Sequence, residues 1–89
     1  MPNFPTQVDG LDIAPVEEGL VVNDHDRDRV HYLNHTAGLV LTLCDGKNSI
    51  EAIAALLQMQ FELANPPEDD VSEEIEEVVE EGLVILITE

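Results

Sequence analysis

Residues 33–54 read Leu-Asn-His-Thr-Ala-Gly-Leu-Val-Leu-Thr-Leu-Cys-Asp-Gly-Lys-Asn-Ser-Ile-Glu-Ala-Ile-Ala, and this stretch decides the fold. Asn34 is a good helix N-cap, because its side-chain oxygen can accept from a free N–H of the first turn. After it, Ala37, Val40, Leu41 and Cys44 fall at i, i+3, i+4 and i+7, the spacing of one helical face. Leu39 and Leu43 add apolar surface elsewhere on the circumference, so the helix should be buried on most sides. Asp45-Gly46 ends it, since Gly46 can adopt the left-handed conformation a helix end needs. Ser49 then caps a second helix with Ile50, Ile53, Ala54, Leu57 and Phe61 inward and Leu56 beside them.

Downstream, Asn65-Pro66-Pro67 stops the second helix and imposes an extended linker. Asp70 is the expected cap of a third helix, with Glu73 completing a capping-box-like pair. Val71, Ile75, Val78 and Val79 form a narrow apolar stripe. Glu74, Glu77 and Glu81 are expected opposite it. Gly82 ends the helix, and Leu83 to Ile87 is a β-prone run suited to pair with an N-terminal sheet.

Upstream, the period is two. Arg29 to Leu33 alternates, Gly19 to Asn23 is β-prone, and Asp24 to Asp28 between them reads as a polar turn. Leu11, Ile13 and Pro15 form a third strand, confined to an edge by Pro15. Residues 1–10, rich in Pro, Asn and Gly, read as a flexible N-terminal arm, leaving 11–89 as the domain. The expected class is α+β and winged-helix-like: a three-stranded N-terminal antiparallel sheet followed by a three-helix bundle.

Charge narrows the function. The 89 residues carry twenty acids against three bases, a net charge of −17, and no base follows Lys47. Ten acids fall between Glu62 and Glu81. Such a surface repels nucleic acid, whose affinity for proteins comes from Lys and Arg displacing counterions. It equally repels anionic membranes. It suits a basic partner, or a high-salt habitat that screens self-repulsion. One cysteine, Cys44, allows no internal disulfide and fits a reducing cytoplasm. No run approaches the ~20 apolar residues of a membrane span, and Met1 to Pro5 lacks the features of a secretory signal.

Candidate chemistry is sparse. Asp24, Asp26 and Asp28 have the spacing of the first ligands of a calcium loop. However, Arg29 stands at its sixth position and His35 at its twelfth, where glycine and glutamate are needed. His25, His31 and His35 do not share simple helical spacing, and a zinc site needs about four placed ligands. Cys44, near a helix C-terminus on an apolar stripe, reads as core, because the dipole there disfavours a thiolate. Phosphate loops and nucleophile elbows are absent from the sequence. No catalytic residue, metal or other cofactor is therefore expected.

What remains is a strand edge. Arg29 to Leu33 (Arg29, Val30, His31, Tyr32 and Leu33) is the best candidate to accept an extended peptide as an added strand. A groove between it and the third helix would be floored by Val71, Ile75 and Val78. The competing arrangement has Leu83 to Ile87 covering that edge.

The segments Leu33-Asn34-His35-Thr36-Ala37, Leu43-Cys44-Asp45-Gly46 and Ser49-Ile50-Glu51-Ala52-Ile53, with Asp70-Val71, Ile75, Val78 and Gly82-Leu83 in order after them, resemble the PqqD family. That resemblance covers roughly residues 12–86. It implies a non-catalytic recognition element for ribosomally synthesised, modified peptides. Such a domain binds a precursor's leader peptide on its third strand, against the third helix. It presents that peptide to a radical S-adenosylmethionine enzyme of pyrroloquinoline quinone (PQQ) synthesis, or to another modifying enzyme. His35, where many members carry an acid, and the strongly acidic third helix depart from the family pattern. The alternatives are a winged-helix DNA-binding regulator, disfavoured by helices without Lys or Arg, and a structural partner subunit or homodimer closing the Arg29–Leu33 edge.

Overall fold

The computed structural model describes residues 3–88. Its elements run β1 (Asn3–Gln7), β2 (Leu11–Val16), β3 (Gly19–Asp24), β4 (Arg29–Asn34), α1 (His35–Leu43), α2 (Ile50–Gln60), α3 (Glu68–Glu80) and β5 (Val84–Thr88). The chain is α+β, with three helices and a three-stranded antiparallel sheet ordered β2-β3-β4. Val22 pairs with Ile13 on one side and His31 on the other, so these three point to the same face. That face meets the helices: Val22 is fully buried with Val40, Leu41, Ile53, Ile75 and Leu83 in a single cluster. The reverse face carries Val21, Val30 and Tyr32.

The sequence reading of a flexible arm at 1–10 is corrected here for the described part. Asn3–Gln7 form β1, paired antiparallel with β5 from Asn3↔Thr88 to Gln7↔Val84, in a separate two-stranded sheet. The Leu83–Ile87 run therefore does pair with an N-terminal strand, but not with the meander. β1 is held on its other side as well. Gly46 N donates to Pro5 O, and Gln7 N donates to Cys44 O, both at 3.0 Å. Pro5 thus contributes its carbonyl to this ladder, where its missing N–H is no loss. The partners of β1 lie some 40 and 80 residues away in sequence, so no local pattern announces the strand.

Two of the three expected caps form. Asn34 accepts from Ala37 N at 2.8 Å and Ser49 from Ala52 N at 3.1 Å. The third does not: α3 begins at Glu68 with Pro67 at its N-cap, and Asp70 lies inside the first turn. The fixed φ of Pro67 suits a helix entry, so the helix starts as soon as the proline pair allows. Nor do Asn65-Pro66-Pro67 end α2. The helix stops at Gln60 with Glu62 left-handed (φ 52°), and Leu63 N donates to Gln58 O at 3.0 Å. That is a Schellman closure with glutamate at the usual glycine position. The same closure ends α3, with Gly82 at φ 79° and Leu83 N donating to Val78 O at 2.9 Å.

The hairpin between β3 and β4 turns on Asp24. Its carboxylate is buried, accepts from Arg27 N at 3.3 Å, and lies 3.6 Å from Arg27 Nη1. Arg27 continues across to Gly82 O, tying the hairpin tip to the end of α3.

Candidate functional site: a strand edge facing an acidic helix

β4 is the last strand of its sheet, and β5, the segment that competes for its edge in the alternative arrangement, pairs with β1. Among the described residues no strand bonds the outer side of β4. A row of backbone donors and acceptors is therefore open to an added strand. Asn34 fixes where that row ends, because its side chain starts α1 and turns the chain off the sheet.

Beside the edge runs a groove of about 490 Å³. One wall is His31, Tyr32, Leu33 and Asn34 of β4; the other is Glu74, Glu77, Val78, Glu80 and Glu81, from the middle of α3 to just beyond its end; Ala37 and Leu83 close it. His31 and Leu33 face inward beside Val22 and Leu20, whereas Tyr32 sits at the rim and is 79% exposed. Nδ1 of His31 lies 3.7 Å from Glu81 Oε2, and its Nε2 is buried without a hydrogen-bond partner.

The residues expected at the site divide. His31, Tyr32, Leu33 and Val78 come together in the groove. Arg29 and Val30 are exposed at the start of β4 and lie on the edge but outside the groove lining. Val71 and Ile75 do not floor the groove: both are nearly fully buried in the core. Val71 instead backs a neighbouring apolar cavity of about 200 Å³ with Val40, Leu57, Phe61 and Leu63. Ile75 borders a different hollow, with Ile50, Val79 and Leu86. The helical stripe points at the body of the domain, and of its residues only Val78 reaches the groove.

Glu74 is the part of the site that sequence reasoning placed wrongly. Glu74 flanks the apolar stripe instead of opposing it, and it borders both the groove and the Val71 cavity. Partial burial, and then the charges of Glu77, Asp70 and Glu73, push its carboxyl above the usual carboxylate range. The signal available was the spacing of Glu74, Glu77 and Glu81, which places them along one side of the helix next to Val78.

The other chemical candidates stand apart. His25 pairs with Asp12 at the surface, His31 lies by Glu81, and His35 borders a small hollow with Leu20 and Leu39. Cys44 is fully buried. Its Sγ donates to Val40 O at 3.1 Å, and burial, with the nearby Asp45 charge, pushes the thiol up to about 12. Among the described residues no group of three His, Cys, Asp or Glu side chains could hold a metal ion. No helix among them is long and apolar enough to cross a membrane. The arrangement sets an unpaired backbone edge on one side against carboxylates on the other.

The family model described as Coenzyme PQQ synthesis protein D (PqqD) matches residues 19–84, from the start of β3 to the start of β5. No curated protein and no solved structure matches the chain.

Proposed function

This chain belongs to the PqqD family, and on that premise we propose that it is a non-catalytic peptide chaperone of PQQ synthesis or a related peptide-modifying pathway. In this reading it binds the leader segment of a ribosomally made precursor as a fourth strand on β4. It then presents the peptide to a modifying enzyme of the radical S-adenosylmethionine type in the cytoplasm. The packing of α1 on β3 and β4, with α3 across the groove from the edge strand, supports the winged-helix likeness. The observation that carries the reading is the unpaired outer side of Arg29–Asn34 next to the groove. Backbone bonds would supply sequence-tolerant affinity there, and the groove side chains would supply selection.

Two-dimensional NMR of the labelled chain with candidate leader peptides tests this. Strand addition predicts amide shifts in 29–34 and along the second half of α3. It also predicts loss of binding when the peptide carries N-methyl groups at alternate backbone positions. Shifts elsewhere, or binding indifferent to N-methylation, would refute it.

A further inference from the structure

The groove wall opposite β4 is unusually one-sided in charge. Glu74, Glu77, Glu80 and Glu81 line it, and the only basic side chain in the lining is His31. Arg27 is not among the lining residues and is engaged with Asp24 and Gly82 O, and Arg29, exposed at the start of β4, also lies outside the lining. Lys47 lies in the α1–α2 connection, its backbone N–H bound to Asp45. The raised carboxyl of Glu74 has the same origin: a partly buried acid among acids. In an antiparallel sheet, an added strand would point alternate side chains to the two faces. One set would follow His31 and Leu33 toward α3. The other would lie beside Val30 and Tyr32, 52% and 79% exposed on the reverse face.

The geometry points to a leader segment in which basic residues alternate with apolar ones, the Lys or Arg side chains reaching the α3 glutamates and the apolar ones covering Val30 and Tyr32. This inference rests on the strand-addition reading and adds the chemistry of the peptide. Spacing supports it. Same-face residues of a strand recur about every 6.6–6.8 Å. Glu77 and Glu81, four helical residues apart, are about 6 Å apart along the axis, and Glu74 to Glu81 spans about 10.5 Å. The two repeats are similar in length, so consecutive same-face bases match successive carboxylates of the wall in number. Apolar side chains opposite Val30 and Tyr32 gain the cross-strand contacts that stabilise sheet pairs.

The test uses the intact chain, labelled for NMR, and three short blocked synthetic peptides of equal length: alternating Lys/Val, Thr/Val and Glu/Val. The Lys/Val peptide is expected to bind at least about tenfold more tightly than the Thr/Val peptide and to shift amides of both 29–34 and 74–81. The Glu/Val peptide should bind most weakly. Raising salt from about 20 to about 300 mM should erase most of the Lys/Val advantage, as screening shortens the range of the field. So should the triple variant Glu74→Gln, Glu77→Gln, Glu81→Gln, whose changes lie on exposed or partly exposed positions. If Lys/Val and Thr/Val bind β4 equally, the charge inference fails while strand addition stands. If Lys/Val shifts α3 but leaves 29–34 unmoved, strand addition itself fails. Absence of Lys/Val binding overturns the inference.

Discussion

Nη1 of Arg27 donates to the carbonyl oxygen of Gly82 at 2.6 Å, and a Cβ placed on Gly82 would lie 2.0 Å from that same nitrogen. The tip of the β3–β4 hairpin and the end of α3 are thus joined where a side chain at 82 would intrude. Gly82 also stands at φ 79°, where an L-residue costs about 1–2 kcal/mol. Gly82→Ala should therefore lower unfolding free energy in urea by about 1–3 kcal/mol, from strain plus the displaced tether. In an Arg27→Ala background the cost should fall toward the strain alone. Equal costs in both backgrounds would show that the tether contributes nothing.

Glu62 presents the reverse case. It closes α2 in a left-handed conformation, with φ 52°, that glycine would adopt without strain. Glu62→Gly should raise stability by up to about 1 kcal/mol, measured by the same urea titration. A destabilised variant would mean that the Glu62 side chain has a role its exposed position does not suggest.

Cys44 should be chemically silent in the folded chain. Its thiol is fully buried, bonded to Val40 O, and pushed up to about 12. At pH 8 an aromatic disulfide reagent should label it only as fast as the protein opens, and at once in urea. The sign of the pH effect follows. The folded thiol holds its proton more tightly than the unfolded one, whose ordinary value is 9.0. This contribution to stability is complete below pH 9 and is lost as pH rises from there toward about 12. Rapid native labelling at pH 8 would contradict the burial.

His25 offers a pH probe on the hairpin. The hydrogen bond to Asp12, then its charge, raises the imidazole above 6.5, with Asp26 and Asp24 adding to the effect. A raised histidine contributes stability below the unfolded value of about 6.5, and that contribution is lost as pH climbs through the folded value. Asp12→Asn should move the ring-proton titration of His25 back toward 6.5. A curve unmoved by the substitution would dissociate the pair.

How far the fold could be read from the chain is clearest at the helix ends. Asn34 and Ser49 were legible because each precedes an apolar period and has a free N–H three residues on, an entirely local relation. Asp70 has the same local credentials and fails, because α3, entered from Pro67, starts at Glu68, two residues before it. The β4 edge was legible from alternation. That it stays open was not, since that depends on β5 choosing β1, a pairing between chain ends. The glutamate wall was visible as composition, but Glu74 was misplaced in space. A side chain at the boundary of a helical stripe is assigned to core or solvent only by what packs beside it, and here that is β4. Substitutions separate the cases. Asn34→Ala and Ser49→Ala should each cost about 1 kcal/mol. Asp70→Ala should be near neutral, because its favourable place in the first turn is offset by Glu74 four residues on. A cost for Asp70→Ala equal to that of Asn34→Ala would restore it as a cap.

The charge of the whole domain acts against its own stability. Within α3 the pairs Asp69/Glu73, Asp70/Glu74, Glu73/Glu77 and Glu76/Glu80 are like charges four residues apart, each unfavourable by about 0.2–0.5 kcal/mol at low salt. Arg27 is the only Lys or Arg that holds an ion pair among the described residues. With a net charge of −17, self-repulsion acts on the folded chain at every position and is relieved on expansion. Adding salt from about 20 to about 500 mM should therefore raise the melting temperature by several degrees, most of it below about 200 mM, where the Debye length changes fastest. The triple glutamine variant of Glu74, Glu77 and Glu81 should start higher and gain less. If wild type and variant gained equally, the glutamates of α3 would be electrostatically silent in the free protein. Their unfavourable crowding would then not be held in reserve for a basic ligand to relieve.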